Sequence, residues 1–261
     1  MPAKLTADGI GSAAGATPDG ATDEQGAAAA VQSMFNSIAH RYDLLNHVLS
    51  VGVDQFWWWR TARRFSDVLA DPDAGILDIC CGTGDMTMAL LKRRPAASRP
   101  VIAADFAREM LARGAKKFAR PSGKHGVAVA VEADALHLPL PAESRDLVVT
   151  AFGFRNLANY QDGLVEFHRV LKPGGQVGIL DFSEPDGLLG KIYQVYFRRV
   201  LPAIGRLICG ADGPYNYLPA SVSKFPAPPE MLERMRAAGF RDVRWTPYTF
   251  GIAGLFTGIR E

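Results

Sequence analysis

The stretch Gly75-Ile-Leu-Asp-Ile-Cys-Cys-Gly-Thr-Gly-Asp85 decides how the rest of the chain is read. Its apolar run, Ile76 to Cys80, has the length of a strand buried on both faces. The run ends in Gly82-Thr83-Gly84, and the spacing predicts a helix from Asp85 to Leu91 with Asp85 capping its first turn. Strand, glycine turn and helix start together bring backbone N–H groups close to a ligand, because glycine has no Cβ to hold it away.

Two ligand classes use such a turn. A dinucleotide site wants a third glycine in the pattern GxGxxG, and Thr87 stands at that position here. A nucleoside with cationic groups, such as S-adenosylmethionine with its sulfonium and ammonium, is better served by acids at the turn. Asp78 and Asp85 bracket it, which favours the cationic ligand.

Further runs extend the pattern. Pro100-Val-Ile-Ala-Ala-Asp105 is a second strand ending in an acid, at the distance where a ribose-binding carboxylate belongs. Val127 to Val131 leads to Asp134-Ala135, expected beside the adenine, and Asp146 to Ala151 leads into Phe152-Gly153. Strands with acids at their carboxyl ends, separated by helices, predict an α/β fold with its ligand along that edge. The sheet is expected to be doubly wound, mostly parallel and seven-stranded.

The chain has 261 residues, 48% of them apolar, enough for one full-sized core. Its net charge of +2 is too small to point to nucleic acid. The three cysteines form no disulfide framework, which suits a reduced, cytoplasmic setting. Without CxxC or clustered histidines, no metal is expected. No run reaches the ~18 apolar residues of a membrane span. Residues 1–30, rich in Ala, Gly, Asp and Thr, are expected to form a disordered tail, leaving 31–261 as a single domain.

Helical spacing runs from Val31 through Tyr42-Asp43 and, after a turn at Gly52, through Trp57, Trp58 and Trp59. Three consecutive tryptophans cannot all face one core. One core tryptophan and two packed on neighbouring helices is preferred to an aromatic wall at the substrate. Arg60, Arg63 and Arg64 read as a solvated face. Phe106 to Ala119 and Tyr160 to Leu171 read as helices, the latter stopped by Pro173-Gly174-Gly175, and His168, on the solvent-prone part of its helix, reads as structural. Gln176 to Asp181 is the fifth strand. An inserted amphipathic helix then spans Tyr193 to Ile208, with Arg198, Arg199 and Arg206 on its polar side and room for peripheral membrane contact. Pro228 to Gly239 is a last helix, and Arg241 to Tyr248 with Phe250 to Ile259 predict a hairpin at the sheet edge.

The string Leu77 to Asp85 followed by Asp105 resembles the cofactor half of the Rossmann-like class I methyltransferases. Tyr42-Asp-Leu-Leu-Asn46, Phe152-Gly-Phe-Arg-Asn156, Arg169-Val-Leu-Lys-Pro-Gly-Gly175 and Asp181-Phe-Ser183 resemble, more narrowly, the C-methyltransferases of ubiquinone and menaquinone biosynthesis. The chain departs from that family's usual pattern at Asp54-Gln55, Asp134, Ala151 and Asp181. The resemblance implies methyl transfer from S-adenosylmethionine, without a metal, to a ring carbon of a prenylated hydroquinone. Demethylmenaquinol is the expected acceptor; a ubiquinone-pathway benzoquinol or O-methylation of a small molecule are the alternatives. It implies cofactor contacts at Asp78, Gly82, Thr83, Gly84, Asp105, Asp134, Ala135 and Ala151. Because a quinol must lose a phenolic proton before its ring attacks, Arg155 is expected to stabilise the phenolate and Asn156 to bind the other hydroxyl. Tyr42 is expected to orient the ring, while Asp43, a histidine and water remain alternatives as base. A homo-oligomer is compatible with all of this.

Overall fold

The computed structural model describes residues 15, 16, 18, 21, 23–50, 52–118, 125–185 and 217–261, and the side chains of these except 38, 40–50 and 217–219. Its centre is a seven-stranded sheet in the order β3-β2-β1-β4-β5-β7-β6. The strands are β1 (Ile76–Ile79), β2 (Val101–Asp105), β3 (Ala128–Glu132), β4 (Arg145–Ala151), β5 (Leu171–Phe182), β6 (Phe240–Tyr248) and β7 (Ala253–Arg260). The first five run parallel, and β7 enters antiparallel between β5 and β6. The predicted hairpin is therefore present, with its second strand on the inside and β6 at the edge. The helices are α1 (Glu24–Ser50), α2 (Val53–Arg64), α3 (Ser66–Ala70), α4 (Asp85–Leu91), α5 (Arg108–Phe118), α6 (Tyr160–Val170), α7 (Tyr217–Lys224) and α8 (Pro228–Ala237).

Every residue of β1 is fully buried, as a run apolar on both faces demands. Alternate side chains feed two layers. Leu77, Val148 and Val177 pack with Phe154, Phe167 and Met231 on one face, while Ile76, Leu147 and Val149 pack with Phe65, Leu69 and Leu90 on the other. Each such Ile, Leu or Phe contributes roughly 1.5–3 kcal/mol of burial, so the central strands are the most strongly held part of the chain. The strand order reverses between β1 and β4, and at such a switch point the carboxyl ends leave a crevice.

Three expectations about local structure change. Helix α1 starts at Glu24, inside the stretch read as a tail. Ala27 is buried there, and further upstream Ala16 donates its N–H to the Leu157 carbonyl at 2.7 Å. Composition missed this because alanine buries little area individually yet fits where helices approach closely. Pro173-Gly174-Gly175 does not separate α6 from the fifth strand: β5 begins at Leu171, and the pairing with β4 shifts register between Arg145 and Leu147. A bulge accommodates a proline and two glycines that a regular ladder would not. His168 is half-buried rather than solvent-facing, its ring edge-on to Phe240 at 5.3 Å. The amphipathic helix expected over Tyr193 to Ile208 lies outside the described residues.

Candidate active site

The turn after β1 is built from left-handed residues. Cys80, Gly82 and Gly84 have φ of 56°, 54° and 85°. Gly84 is the residue that caps α4, and no side chain caps it. A Cβ on Gly84 would meet the Phe118 ring at 2.8 Å, and one on Gly114 would lie 3.1 Å from the Gly82 carbonyl oxygen. The turn and α5 can approach this closely only because both positions are glycine. The cap expected of Asp85 is thus made by backbone geometry instead. The Asp85 carboxylate accepts from Lys117 Nζ at 3.1 Å.

Asp105, at the end of β2, closes the turn from the next strand. Its Oδ2 accepts from Gly82 N at 2.7 Å and its Oδ1 from Ala107 N at 2.8 Å. Each carboxylate oxygen has a further lone pair for a ligand hydroxyl. Burial pushes this carboxyl up to about 6, against the lowering effect of its backbone N–H donors. Thr87, where a third glycine would stand in a dinucleotide site, donates its hydroxyl to Asp78 Oδ2 at 2.5 Å. Asp78 is fully buried, and burial raises its carboxyl to about 7. Its Oδ1 has no hydrogen-bond partner among the described residues.

A cavity opens over this turn. Gly82, Thr83, Asp105, Asp134, Ala135 and Ala151, all expected at the cofactor, line it. Asp78 and Gly84 are not on its wall: Asp78 lies beneath the turn, and Gly84 faces α5. Asp134 holds the far rim, its Oδ1 accepting from Leu136 N at 3.0 Å and its Oδ2 lying 3.4 Å from His137 Nδ1. Ala28 and Phe35 of α1, together with Phe106 and Met110 at α5, complete an apolar wall that no motif announced. Their signal lay only in helical spacing.

At the end of β4 the chain turns through Phe152, with φ 58°, and Gly153 into a short 3-10 turn, Phe154–Asn156. A Cβ on Gly153 would lie 2.3 Å from Cys80 Cβ, so the two loops at the switch point touch. Asn156 lines the cavity. Arg155 is buried and is not on the cavity wall. Its guanidinium donates to Asp181 Oδ1 at 2.9 Å and to the Phe152 carbonyl, and its backbone N–H donates to Asp181 Oδ2 at 3.0 Å. Sequence placed Arg155 at the right edge of the sheet but did not reveal that the acid ending β5 would hold it. The side chains of Tyr42 and Asp43, on α1, lie outside the described ones. Among the described residues no histidine lines the cavity, and no group of three or more His, Cys, Asp or Glu side chains is placed to hold a metal.

The tryptophans divide differently from expectation. Trp57 is buried, donating to Thr249 Oγ1 at 2.7 Å and packing on Phe152 and Phe182. Trp58 is also buried and stands on the cavity wall, while Trp59 faces outward. Two consecutive helical positions thus reach the interior, Trp57 onto Phe152 and Phe182 and Trp58 onto the cavity wall. Trp58 alone of the three is thus among the residues lining the cavity.

The residues fit a nucleoside with a cationic amino-acid end: a buried carboxylate for ribose, an apolar slot, and a turn whose glycines keep side chains out of the way. Comparison with known proteins agrees. The model of the ubiE/COQ5 methyltransferase family matches residues 21–260. The chain is 45% identical to the demethylmenaquinone methyltransferase of Deinococcus radiodurans over 238 residues, covering 90% of this chain and 95% of that protein. It is 47% identical to the enzyme of the same name from Thermus thermophilus over 230 residues, 87% of this chain and 100% of the relative. The ubiquinone/menaquinone biosynthesis C-methyltransferase of Geotalea daltonii is 40% identical over 87% of this chain and 95% of its own length. A SAM-dependent methyltransferase structure from Aquifex aeolicus shares the fold, with a TM-score of 0.54 at 19% identity over 77% of this chain and 89% of that one. The chain belongs to the ubiE/COQ5 methyltransferase family, and its methyl donor is S-adenosylmethionine.

Proposed function

We propose that the protein methylates a ring carbon of demethylmenaquinol, giving menaquinol. The observation that carries the proposal is that Asp105 and Asn156, from opposite sides of the switch point, line one cavity whose remaining wall is largely apolar. Two of the relatives quoted above bear that activity in their names.

S-adenosylmethionine, when bound, supplies an electrophilic methyl group on a sulfonium. Asp105 holds the ribose hydroxyls, Asp134 and Ala135 border the adenine, and Ala151 and the Gly82-Thr83-Gly84 turn shape the methionine end. Asp78 acts from beneath, through Thr87, by fixing the start of α4 against β1. The acceptor must be the reduced quinol, because a quinone ring is too electron-poor to attack. A free phenol has pKa about 10, so the site must favour phenolate. Asn156 donates its amide N–H to a quinol oxygen. Arg155 is a positioning residue: it ties Phe152 and its own backbone to Asp181, and so sets where Asn156 stands. The apolar wall of Phe35, Phe106, Phe152 and Leu157 excludes water and aligns the ring.

The test is incubation with S-adenosylmethionine and demethylmenaquinol kept reduced, with the position of the new methyl read by NMR. A C-methyl product is expected, and Asn156→Ala should lower kcat about 100–1,000-fold, as loss of one oxyanion donor does elsewhere. An O-methyl product, or no product with quinol while a benzoquinol of the ubiquinone type is methylated, would reassign the acceptor.

A further inference from the structure

We propose that the outward face of α2, with the end of α4 beside it, docks on an anionic lipid bilayer. Phe56 and Trp59 are 50% and 45% exposed and stack on each other with ring centroids 5.8 Å apart. One exposed ring is unremarkable, but a stacked pair of large rings on the surface marks a place that something apolar covers. Arg63, one turn along the same stripe, places its guanidinium 5.3 Å from the Trp59 ring, and Arg93 approaches that ring to 5.9 Å from the end of α4. Exposed Arg64 and Lys92 widen the basic rim.

This chemistry fits a headgroup layer. Indole and phenyl rings sit at the acyl boundary, and long cationic side chains keep their stems on the rings while their charges stay among the phosphates. The sign of the charge selects the partner. Arg63, Arg64, Lys92 and Arg93 gather beside the stacked rings, and Asp85, the acid among the groove's lining residues, is already paired with Lys117 at 3.1 Å. The face is therefore net positive, complementary to anionic lipid.

The patch is also continuous with the cavity. Trp59, Met88, Lys92 and Arg93 line a surface groove that shares Trp58 and Asp85 with the cavity wall. An acceptor drawn from the bilayer would enter along this groove, past Trp58 and Asp85. That entry route rests on the quinol acceptor proposed above; the bilayer contact does not, and vesicle binding is read without any turnover.

The test is co-sedimentation of the full chain with phosphatidylcholine vesicles, with and without about 30% phosphatidylglycerol, over a range of salt. Wild type should sediment with the anionic vesicles, less so as salt rises, and hardly with the neutral ones. The triple variant Phe56→Ser, Trp59→Ser, Arg63→Glu should bind anionic vesicles at least ~10-fold more weakly, with S-adenosylmethionine affinity and melting temperature unchanged. Should the triple variant melt early, Arg63→Glu alone decides, with an expected loss of about 5-fold or more. Wild type that stays in the supernatant at every composition overturns the proposal, as does equal binding of variant and wild type. A dimer lost in the variant, without vesicle binding by wild type, would assign the face to a second copy and overturn it as well.

Discussion

The Arg155 guanidinium lies 2.9 Å from the Asp181 carboxylate, the two side chains being 5% and 0% exposed, and the Phe182 ring lies 5.3 Å beneath the cation. The pair joins the loop after β4 to the end of β5, so it holds the carboxyl ends of these two neighbouring strands together. Buried ion pairs cost much to desolvate, and removing one partner strands the other. Arg155→Ala should therefore destabilise the protein by about 3–5 kcal/mol, with cofactor affinity of the folded fraction little changed. The double variant Arg155→Met, Asp181→Asn, which keeps an acceptor for the Arg155 backbone N–H, should recover most of that stability but not turnover. Urea melts beside single-turnover assays check this. A double variant with normal kcat would show that the pair does not position Asn156.

Asp105→Ala should weaken S-adenosylmethionine binding by ~1.5–3 kcal/mol, since two hydroxyls lose a charged acceptor. The raised carboxyl, about 6, adds a pH signature. Affinity should be full at pH 8 and fall as pH drops through about 6, where the carboxylate takes up a proton. Calorimetry across that range checks both, and Asp105→Asn should bind weakly with no such slope.

Asp78 predicts a pH dependence of stability. Its carboxyl is raised from 3.8 to about 7 by burial, so the folded protein holds a proton that the unfolded chain releases. The stabilisation from that proton is complete below about pH 4 and lost as pH rises through about 7; the shift corresponds to at most roughly 4 kcal/mol. Asp78→Asn keeps an acceptor for the Thr87 hydroxyl and carries no charge. It should make the ligand-free protein more stable than wild type at pH 8, with little difference near pH 4. Urea midpoints at the two pH values decide it.

Gly15 should tolerate no side chain. A Cβ there would stand 1.9 Å from the Ala158 carbonyl oxygen, and Ala158 lines the cavity. Gly15→Ala should lower the melting temperature by several degrees, on the order of 1–3 kcal/mol for forced backbone displacement, and should weaken cofactor binding. Removing residues 1–30 should do both more strongly, because Ala27 is core and Ala28 is cavity wall. Thermal melts with and without S-adenosylmethionine check both.

The sequence by itself determined the sheet, its parallel strands and the glycine turn over which the cavity opens. Ile76 to Ile79 can only be a buried strand, Gly82 and Gly84 mark left-handed backbone, and Asp105 ends the next strand at the right distance. These are local signals, written in consecutive residues or in one fixed spacing. Tertiary structure alone decided the rest. That Asp181 would capture Arg155, that Thr87 would hold Asp78 below the turn, and that Trp58 would face the cavity while Trp59 faces out are contacts between residues distant in sequence or differing only in helical phase. A sequence shows which side chains can meet, whereas their partners are chosen by how strands register and helices rotate as the core closes, and that choice is made by the packing of the whole molecule.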